Sequence, residues 1–157
     1  MKLNFVRSLY ILFLILAGGI LASVSAQSVS GSIGSGTINK GVAARASVVL
    51  SIPGGLHVNS HRPGVEYQIP TTVKASASGA RIGSVSYPGG RNRKFGFSEK
   101  SINVYEGRAT FGFTVTVPPN YRGSTVSVRV SVHYQACTQE TCYSPKTKDI
   151  TLTAKVR

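Results

Sequence analysis

The chain has 157 residues, enough for one domain with a buried core, and carries 18 Lys and Arg against 5 Asp and Glu. A formal net charge of +13 would suit an anionic partner, but the basic residues are scattered. Only the run RNRK at 91–94 forms a cluster, and no aromatic residues are interleaved with it. The charge pattern therefore predicts a solvated basic surface and argues against a nucleic-acid partner.

The first 26 residues have the pattern of a secretory signal peptide. Lys2 and Arg7 precede the uncharged run LYILFLILAGGIL, and small residues at 24–26 predict cleavage between Ala26 and Gln27. The apolar run has 13 residues, fewer than the ~20 that a transmembrane span needs, so a retained membrane anchor is the less favoured alternative. We expect a periplasmic or secreted protein with no transmembrane segment in its mature chain.

The next segment, residues 27–41, is rich in Gly and Ser and predicts a flexible lead-in that can close with an edge strand. A single domain is then expected over residues 42–157.

Apolar and polar residues alternate with a period of two through most of this domain. The alternation is strict over 109–117, 126–134 and 150–156, which predicts strands with one buried face. Weaker strands are predicted at 44–52, 55–59, 70–77 and 81–87, separated by turn signals such as Pro53-Gly54-Gly55 and Pro88-Gly89-Gly90. Seven to nine short strands without a helical period predict an all-β fold, an immunoglobulin-like antiparallel β-sandwich of two sheets.

The two cysteines, Cys137 and Cys142, lie in the connection between the two most regular strands, with four residues between them. Even-numbered residues up to Tyr134 face the core, so Cys137 is predicted on the polar face with His133. A disulfide between neighbours in one loop closes a small ring and stabilises the fold by only ~2 kcal/mol. An exposed pair could instead exchange with the disulfide of another protein. From spacing alone, a structural staple and a working dithiol both remain open.

A metal site is the weakest interpretation of the cysteines, because zinc needs four ligands and the three histidines are distant in sequence. We therefore predict no metal and no cofactor. His57, His61 and His133 are each predicted to be solvated or hydrogen-bonded surface histidines, with His133 too far from Cys137 for direct proton transfer.

The hairpin YQACTQETCYSPKTKDITL resembles the active-site hairpin of the periplasmic N-terminal domain of the DsbD thiol:disulfide interchange proteins. The family pattern is Tyr-Gln-x-Cys, a short insert, and Cys-x-x-Pro-x-Thr-Lys, and it is matched here by Tyr134, Gln135, Cys137, Cys142, Pro145, Thr147 and Lys148. The segments GGLHVNSHRPGVEYQIPTTV and FSEKSINVYEGRATF also resemble family segments, so that the resemblance covers about residues 42–156.

The resemblance implies an immunoglobulin-like domain whose cysteines cycle between dithiol and disulfide. It also implies that Cys142 forms the mixed disulfide, that Cys137 resolves it, and that a cap-loop aromatic, Phe95 or Phe97, shields the pair. By the residue pattern alone, either phenylalanine is equally compatible with ordinary core. The implied partners are thioredoxin-like periplasmic proteins. No eight-helix membrane segment or thioredoxin-like domain follows in this sequence, so we expect a stand-alone exchange domain supplied by a separate membrane dithiol transporter.

The sequence departs from the family at several positions near the cysteines. His57 and Asn59 stand where the family often has tyrosines, and they are expected to point away from the core, toward the cysteines. Arg93 and Lys94 stand where acidic residues often precede the cap aromatic. Nearby cations lower the pKa of a thiol, so these two residues are expected either to favour a thiolate or to form a different partner surface.

Three functions follow as hypotheses. The first is an exported thiol:disulfide carrier, a component of the protein-disulfide reductase class. The second is a disulfide-stapled immunoglobulin-like binding module without redox turnover, and the third is a binder of anionic surfaces whose affinity would collapse with rising salt. We favour the carrier, with a reduction potential of about −200 to −280 mV.

Overall fold

The computed structural model describes residues 27–157, so the predicted signal peptide and its cleavage site lie outside the described residues. Strands, turns and bends make up this part of the chain, which contains no helix and hence none long and apolar enough to span a membrane. In chain order the strands are β1 Ser28–Ile33, β2 Thr37–Ile38, β3 Ala43–Ser51, β4 His57–Asn59, β5 Thr72–Ala77, β6 Arg81–Ile82, β7 Arg91–Arg93, β8 Ile102–Tyr105, β9 Arg108–Thr116, β10 Thr125–Tyr134, β11 Ala136–Cys137 and β12 Lys146–Val156.

The strands form three four-stranded sheets. Sheet A has the order β1-β3-β9-β6, sheet B the order β2-β12-β10-β5, and sheet C the order β11-β4-β8-β7. The named strand pairs are antiparallel apart from the short parallel pair of β2 with β12. The all-β, immunoglobulin-like fold is confirmed, but the small sheet C adds to the two sheets that were predicted.

The alternation of β9 and β10 builds the main core. Along β9 the side chains of Ala109, Phe111, Phe113 and Val115 are buried while the intervening residues are half-buried or exposed. β10 buries its even-numbered residues from Val126 to Tyr134 in the same way, and both sets belong to one apolar cluster. Each such side chain contributes about 1.5–3 kcal/mol on burial, so this cluster is the main source of stability.

The predicted lead-in is ordered in part, because residues 28–33 form an edge strand, as the prediction allowed. This strand, β1, pairs antiparallel with β3 from Ser28↔Ser51 to Ile33↔Ala46. Ile33 and Ile38 are buried in the main core, and Gly31 lies so close to the backbone of Ser47 that a Cβ would clash with it. Two isoleucines among the small residues anchor the segment, so the folded domain begins before residue 42.

Sheet C is the part of the fold that the alternation did not reveal. β7 and β8 were not predicted, because Arg91–Arg93 is exposed throughout and Ile102–Tyr105 is only four residues long. The predicted strand at 81–87 is reduced to Arg81–Ile82 and a single bridge between Ser86 and Gly112. Gly107, with a φ of 67°, forms the tight turn by which the chain passes from β8 in sheet C to β9 in sheet A.

Candidate functional site

Cys137 reaches the site because the chain changes sheets at Gln135. β10 ends at Tyr134 in sheet B, and the next two residues form β11, which pairs with β4 in sheet C. The register is Ala136↔Val58 and Cys137↔His57. Ala136 joins the main core with Val58, so Cys137 lies on the opposite face of β11, as the parity of the sequence predicted.

The predicted exposure of Cys137 is nevertheless wrong, because this face of sheet C is covered. Cys137 is 0% exposed, whereas Cys142 is half-buried and lies between exposed residues, Thr141 and Tyr143. The two cysteines are therefore unequal. Part of Cys142 is accessible from the surface, and Cys137 is not.

The cysteines form a disulfide with an S–S length of 2.06 Å across the two arms of a short hairpin. Their Cα atoms are 3.9 Å apart, and the two residues form an antiparallel bridge. Backbone hydrogen bonds flank the pair on both sides, from Thr138 N to Thr141 O at 2.8 Å and from Tyr143 N to Ala136 O at 2.9 Å. The hairpin therefore holds both sulfur atoms close together independently of the bond between them.

The turn of the hairpin is closed by the Thr138 side chain. Its hydroxyl oxygen accepts hydrogen bonds from the backbone amides of Glu140 (3.2 Å) and Thr141 (3.1 Å). The side-chain amide of Gln135 donates to the carbonyl of Tyr143 at 3.1 Å and ties the base of the hairpin together. Opening of the disulfide consequently leaves several hydrogen bonds that preserve the hairpin geometry.

His57 lies beside the buried cysteine and is not the surface histidine that was predicted. It is the direct cross-strand neighbour of Cys137, is 1% exposed, and stacks on Phe95 with ring centroids 4.2 Å apart. Within residues 27–157 neither ring nitrogen has a hydrogen-bond partner. Burial lowers the pKa of His57 below its ordinary value of 6.5, an effect partly opposed by the negative charge of Glu106.

Asn59 lies two residues farther along β4 on the same face as His57. Its side-chain amide donates to the carbonyl of Ile69 at 3.0 Å, and its backbone carbonyl accepts the hydroxyl of Thr71 at 2.6 Å. These bonds attach β4 to the segment that leads into β5. Asn59 thus positions β4, and with it His57, rather than contacting the cysteines through these bonds.

The two candidate cap aromatics occupy different positions. Phe95 is 3% exposed and packs with Ile102 and Val104 in a small apolar cluster that is separate from the main core. Phe97 is 38% exposed and stacks on Phe95 with ring centroids 5.3 Å apart. The rings of His57, Phe95 and Phe97 therefore form a stack that runs from the neighbour of Cys137 to the surface.

The segment RKFGFSEK at residues 93–100, which contains both phenylalanines and is the candidate cap loop, makes polar contacts at Ser98. The hydroxyls of Tyr67 and Ser98 are hydrogen-bonded at 2.9 Å, and Ser98 donates to the carbonyl of Lys100 at 2.7 Å. These two hydrogen bonds attach Ser98 to Tyr67 and to the backbone at Lys100.

Arg93 and Lys94 do not provide the cationic environment that was expected around the cysteines. The guanidinium of Arg93 pairs with the Glu106 carboxylate at 2.8 Å, and the Lys94 ammonium donates to the carbonyl of Glu99. A carboxylate partner balances the charge of Arg93, so its effect on a thiolate is weakened. The expectation that these two residues favour a thiolate is therefore not supported by their contacts.

Tyr134 ends β10 at the edge of the site. It is buried in the main core, and in the described part of the chain its hydroxyl has no hydrogen-bond partner. Burial raises the pKa of Tyr134 above its ordinary value. The other two histidines have partners elsewhere: His61 stacks on Tyr87 at 3.7 Å, and Nδ1 of His133 lies 3.1 Å from the Thr147 hydroxyl.

Glu106 is the site residue that the sequence did not reveal. β4 pairs with β8 through Val58↔Tyr105 and Asn59↔Val104, so the next position in this register places Glu106 opposite His57. A row across sheet C thus runs from Glu106 through His57 to Cys137 and Cys142. The only signal in the sequence is the Glu106-Gly107 turn, and this signal does not indicate which residue Glu106 faces.

The model of the family described as the thiol:disulfide interchange protein DsbD, N-terminal, matches residues 37–154 of this chain. Among solved structures, the reduced N-terminal domain of Neisseria meningitidis DsbD is similar at 17% identity over 70% of this chain and 77% of that one, with a TM-score of 0.47. The CssB subunit of the enterotoxigenic Escherichia coli colonization factor CS6, complemented with a donor strand from CssA, is similar at 14% identity over 83% and 97%, with a TM-score of 0.44.

A search of the curated proteins finds no match. The family match covers the cysteine hairpin, the cap loop and sheet C, and extends over well more than half of the chain. This chain belongs to the DsbD N-terminal family of thiol:disulfide interchange proteins.

Proposed function

We propose that this chain is an exported thiol:disulfide exchange domain that relays electrons through the Cys137–Cys142 pair to or from thioredoxin-like proteins of the periplasm. The single observation that supports this most is the unequal burial of the pair within the family's hairpin: Cys142 is half-buried and Cys137 is 0% exposed. A staple that only stabilises the fold has no need for such an arrangement at the surface.

Electron delivery follows from this geometry in two steps. In the reduced domain the Cys142 thiolate attacks one sulfur of a partner disulfide, and the other partner sulfur leaves as a thiolate. The Cys137 thiolate then attacks Cys142 Sγ, the bond from Cys142 to the partner breaks, and the partner leaves with two electrons. Electron uptake is the same sequence in reverse, with the partner thiolate attacking Cys142.

The proposed roles, Cys142 as the attacking cysteine and Cys137 as the resolving one, agree with the burial of the two residues and with the short distance between them. A partner cysteine can reach Cys142 at the surface, whereas Cys137 is buried and therefore reserved for the internal step. The resolving step needs no large movement, because the hairpin holds the two Cα atoms 3.9 Å apart. Sulfur chemistry carries both electrons, so no cofactor or metal is needed.

The partners and the location belong to the same proposal. The leader would direct the domain to the periplasm, and a separate membrane dithiol transporter would supply the electrons. Thioredoxin-like proteins would dock beside Cys142, near the cap loop and the exposed ring of Tyr143. The scattered basic residues are proposed to be a solvated surface and not a nucleic-acid site.

A second candidate is a disulfide-stapled binding module without turnover, favoured by the hydrogen bonds that flank the cysteine pair within a closed hairpin. The ring spans a sequence separation of only five residues, so the disulfide would stabilise the fold by ~2 kcal/mol. The double variant Cys137→Ser/Cys142→Ser distinguishes the two functions. A carrier keeps its fold and loses exchange, whereas a stapled module loses stability and keeps its binding.

The deciding experiment has two measurements on the chain beginning at Gln27. Equilibration against glutathione or a thioredoxin, read by alkylation and mass, should give a potential of about −200 to −280 mV, above the values below about −300 mV typical of structural disulfides. The Cys137→Ser variant should trap a mixed disulfide with a thioredoxin-like protein, and Cys142→Ser should not. A potential far below −300 mV together with no trapped complex would leave only a staple.

A further inference from the structure

We propose that His57 accepts the thiol proton of Cys137, so that the resolving cysteine reacts as a thiolate although it is buried. This inference rests on the proposed exchange function and assigns a proton-transfer role to a residue of the same site. It concerns only the second step of the exchange, and the first step at Cys142 does not depend on it.

The strand register places the imidazole on the correct side of the sulfur. His57 is paired directly with Cys137, and Cys137 is bridged directly to Cys142, so the three side chains lie on one face of sheet C. Directly opposed residues in antiparallel strands have Cβ atoms about 4.5–5.5 Å apart, which is within reach of an imidazole nitrogen and a thiol. Cys137 is therefore flanked by its disulfide partner on one side and by His57 on the other.

The hydrogen-bonding state of His57 points to a missing partner. In the described structure, where the cysteines are oxidised, both ring nitrogens are buried without a partner. An unsatisfied buried polar group destabilises the fold, and a disulfide sulfur is a poor partner for it. Reduction of the disulfide gives Cys137 a thiol, which can donate a hydrogen bond to the neighbouring imidazole. The domain in its reduced form thus satisfies a group that the oxidised form does not.

The protonation state of His57 also fits an acceptor. Burial lowers its pKa, so the ring is neutral near pH 7 and has a lone pair available for a proton. The stack on Phe95 fixes the plane of the ring. A neutral imidazole next to a buried thiol is the arrangement by which cysteine nucleophiles are activated.

The charged groups around His57 favour the imidazolium that forms when Cys137 transfers its proton. Glu106 directly follows β8, lies opposite His57 in the continued register and is ion-paired with Arg93, while the neighbours Phe95 and Ala136 are uncharged. After transfer, the imidazolium lies between the Glu106 carboxylate and the Cys137 thiolate. The Cys137 thiolate stabilises the positive ring directly, and the Glu106 carboxylate adds a smaller stabilisation because Arg93 balances part of its charge.

The resolving step moves one proton and replaces one disulfide bond by another. The proton moves from Cys137 Sγ to a ring nitrogen of His57, and the thiolate attacks Cys142 Sγ of the mixed disulfide. The new bond joins Cys137 and Cys142, the bond between Cys142 and the partner breaks, and the partner sulfur leaves with the electron pair. The imidazolium returns its proton to solvent or to the departing thiolate.

The test uses the reduced chain from Gln27 and dithiobis(nitrobenzoate) as the disulfide. Attack by Cys142 releases one coloured thiolate, and the subsequent attack by Cys137 releases the second, so stopped-flow absorbance separates the two steps. In His57→Phe, which keeps the aromatic stack, the second release should slow about 100-fold near pH 7, and its rate should rise with pH as for an unassisted thiol. The first release should be unchanged.

The control variants separate proton transfer from structure. His61→Phe changes a histidine that stacks on Tyr87, and both releases should stay as in the original chain. His57→Gln keeps a hydrogen-bond acceptor but cannot accept a proton, so it should be as slow in the second step as His57→Phe. A normal second step in either His57 variant would overturn the proton-transfer role. Loss of the first release in the original chain would instead count against the exchange function itself.

Discussion

The sandwich of sheets A and B and the small sheet C bury their side chains in different ways. In the sandwich, the buried faces of β9 and β10 consist of apolar residues at every second position. In sheet C, all three residues of β4 are buried, and two of them are His57 and Asn59. Within the described residues, the buried side-chain atoms without hydrogen-bond partners belong to β4 and to Tyr134, where β10 meets sheet C.

This difference indicates a division of roles. The sandwich supplies most of the favourable free energy of folding, because the side chains that it buries are apolar. Sheet C tolerates unsatisfied polar groups, each of which costs stability, and such groups in native proteins commonly mark a functional site. The disulfide lies in the second region, so its chemistry should be separable from the stability of the first.

The largest effect is expected from a cavity in the sandwich. Phe111 is fully buried in the main core, so Phe111→Ala should reduce the free energy of unfolding by about 3–5 kcal/mol. Urea denaturation of the oxidised chain measures this change. Thr110→Ala, on the exposed side of the same strand, is the matched control and should change stability by less than about 0.5 kcal/mol.

The reduction potential of folded Phe111→Ala should stay within about 10 mV of the original value, a difference worth roughly 0.5 kcal/mol. A shift of several tens of millivolts would show that the two regions are energetically coupled.

An intermediate effect is expected from the cap. Phe95 packs in the small cluster and on His57, so Phe95→Ala should cost about 2–3 kcal/mol and increase the alkylation rate of the reduced cysteines several-fold. Phe97 is the outer ring of the stack, and Phe97→Ala should cost less than 1 kcal/mol, with a smaller increase in alkylation. Alkylation rates at fixed pH and urea denaturation provide the two measurements. If both variants unfold the domain and neither folded fraction is alkylated faster, the phenylalanines are core residues and the cap idea fails.

The smallest effect is a dependence of stability on pH that arises in sheet C. The pKa of His57 in the folded chain lies below its ordinary value of 6.5, so the unfolded chain takes up this proton first as the pH falls. The contribution of neutral His57 is therefore fully present above about pH 6.5 and declines as the pH falls through this value toward the lowered pKa. His57→Phe should flatten the stability curve between pH 7 and pH 5, measured by urea denaturation at each pH. An unchanged slope would mean that His57 is solvated in solution.

The strands of the sandwich and the cysteine hairpin were predictable because they depend on the pattern of neighbouring residues. The alternation from Phe111 to Val115 and from Val126 to Tyr134 predicted the strands and the side that each buries, and the structure confirms both. The hairpin around Cys137 and Cys142 was sufficient to indicate the family, and the family match confirms that prediction. The parity of β10 also predicted correctly that Cys137 leaves the main core.

Other features were not predictable because they depend on which distant segments pair. The sequence of Ser28–Ile33 resembles a linker, and only pairing with β3 makes it a strand. The exposure predicted for Cys137 was wrong, because the fold buries this residue fully and pairs it with His57 of β4, which lies far from it in sequence. The charge of Arg93 was assigned to the cysteines, although the fold gives it Glu106 as a partner.

The sequence by itself determined the all-β class, the strands of the sandwich, the cysteine pair and the family, because alternation and motif spacing are properties of neighbouring residues. The tertiary structure decided that Cys137 is buried and Cys142 accessible, and that His57 stands between Glu106 and Cys137. The physical reason is that cross-strand register joins residues from β4, β8 and β11, which are separated by tens of positions along the chain. Their proximity is set by backbone pairing and core packing over the whole domain, which no local pattern contains.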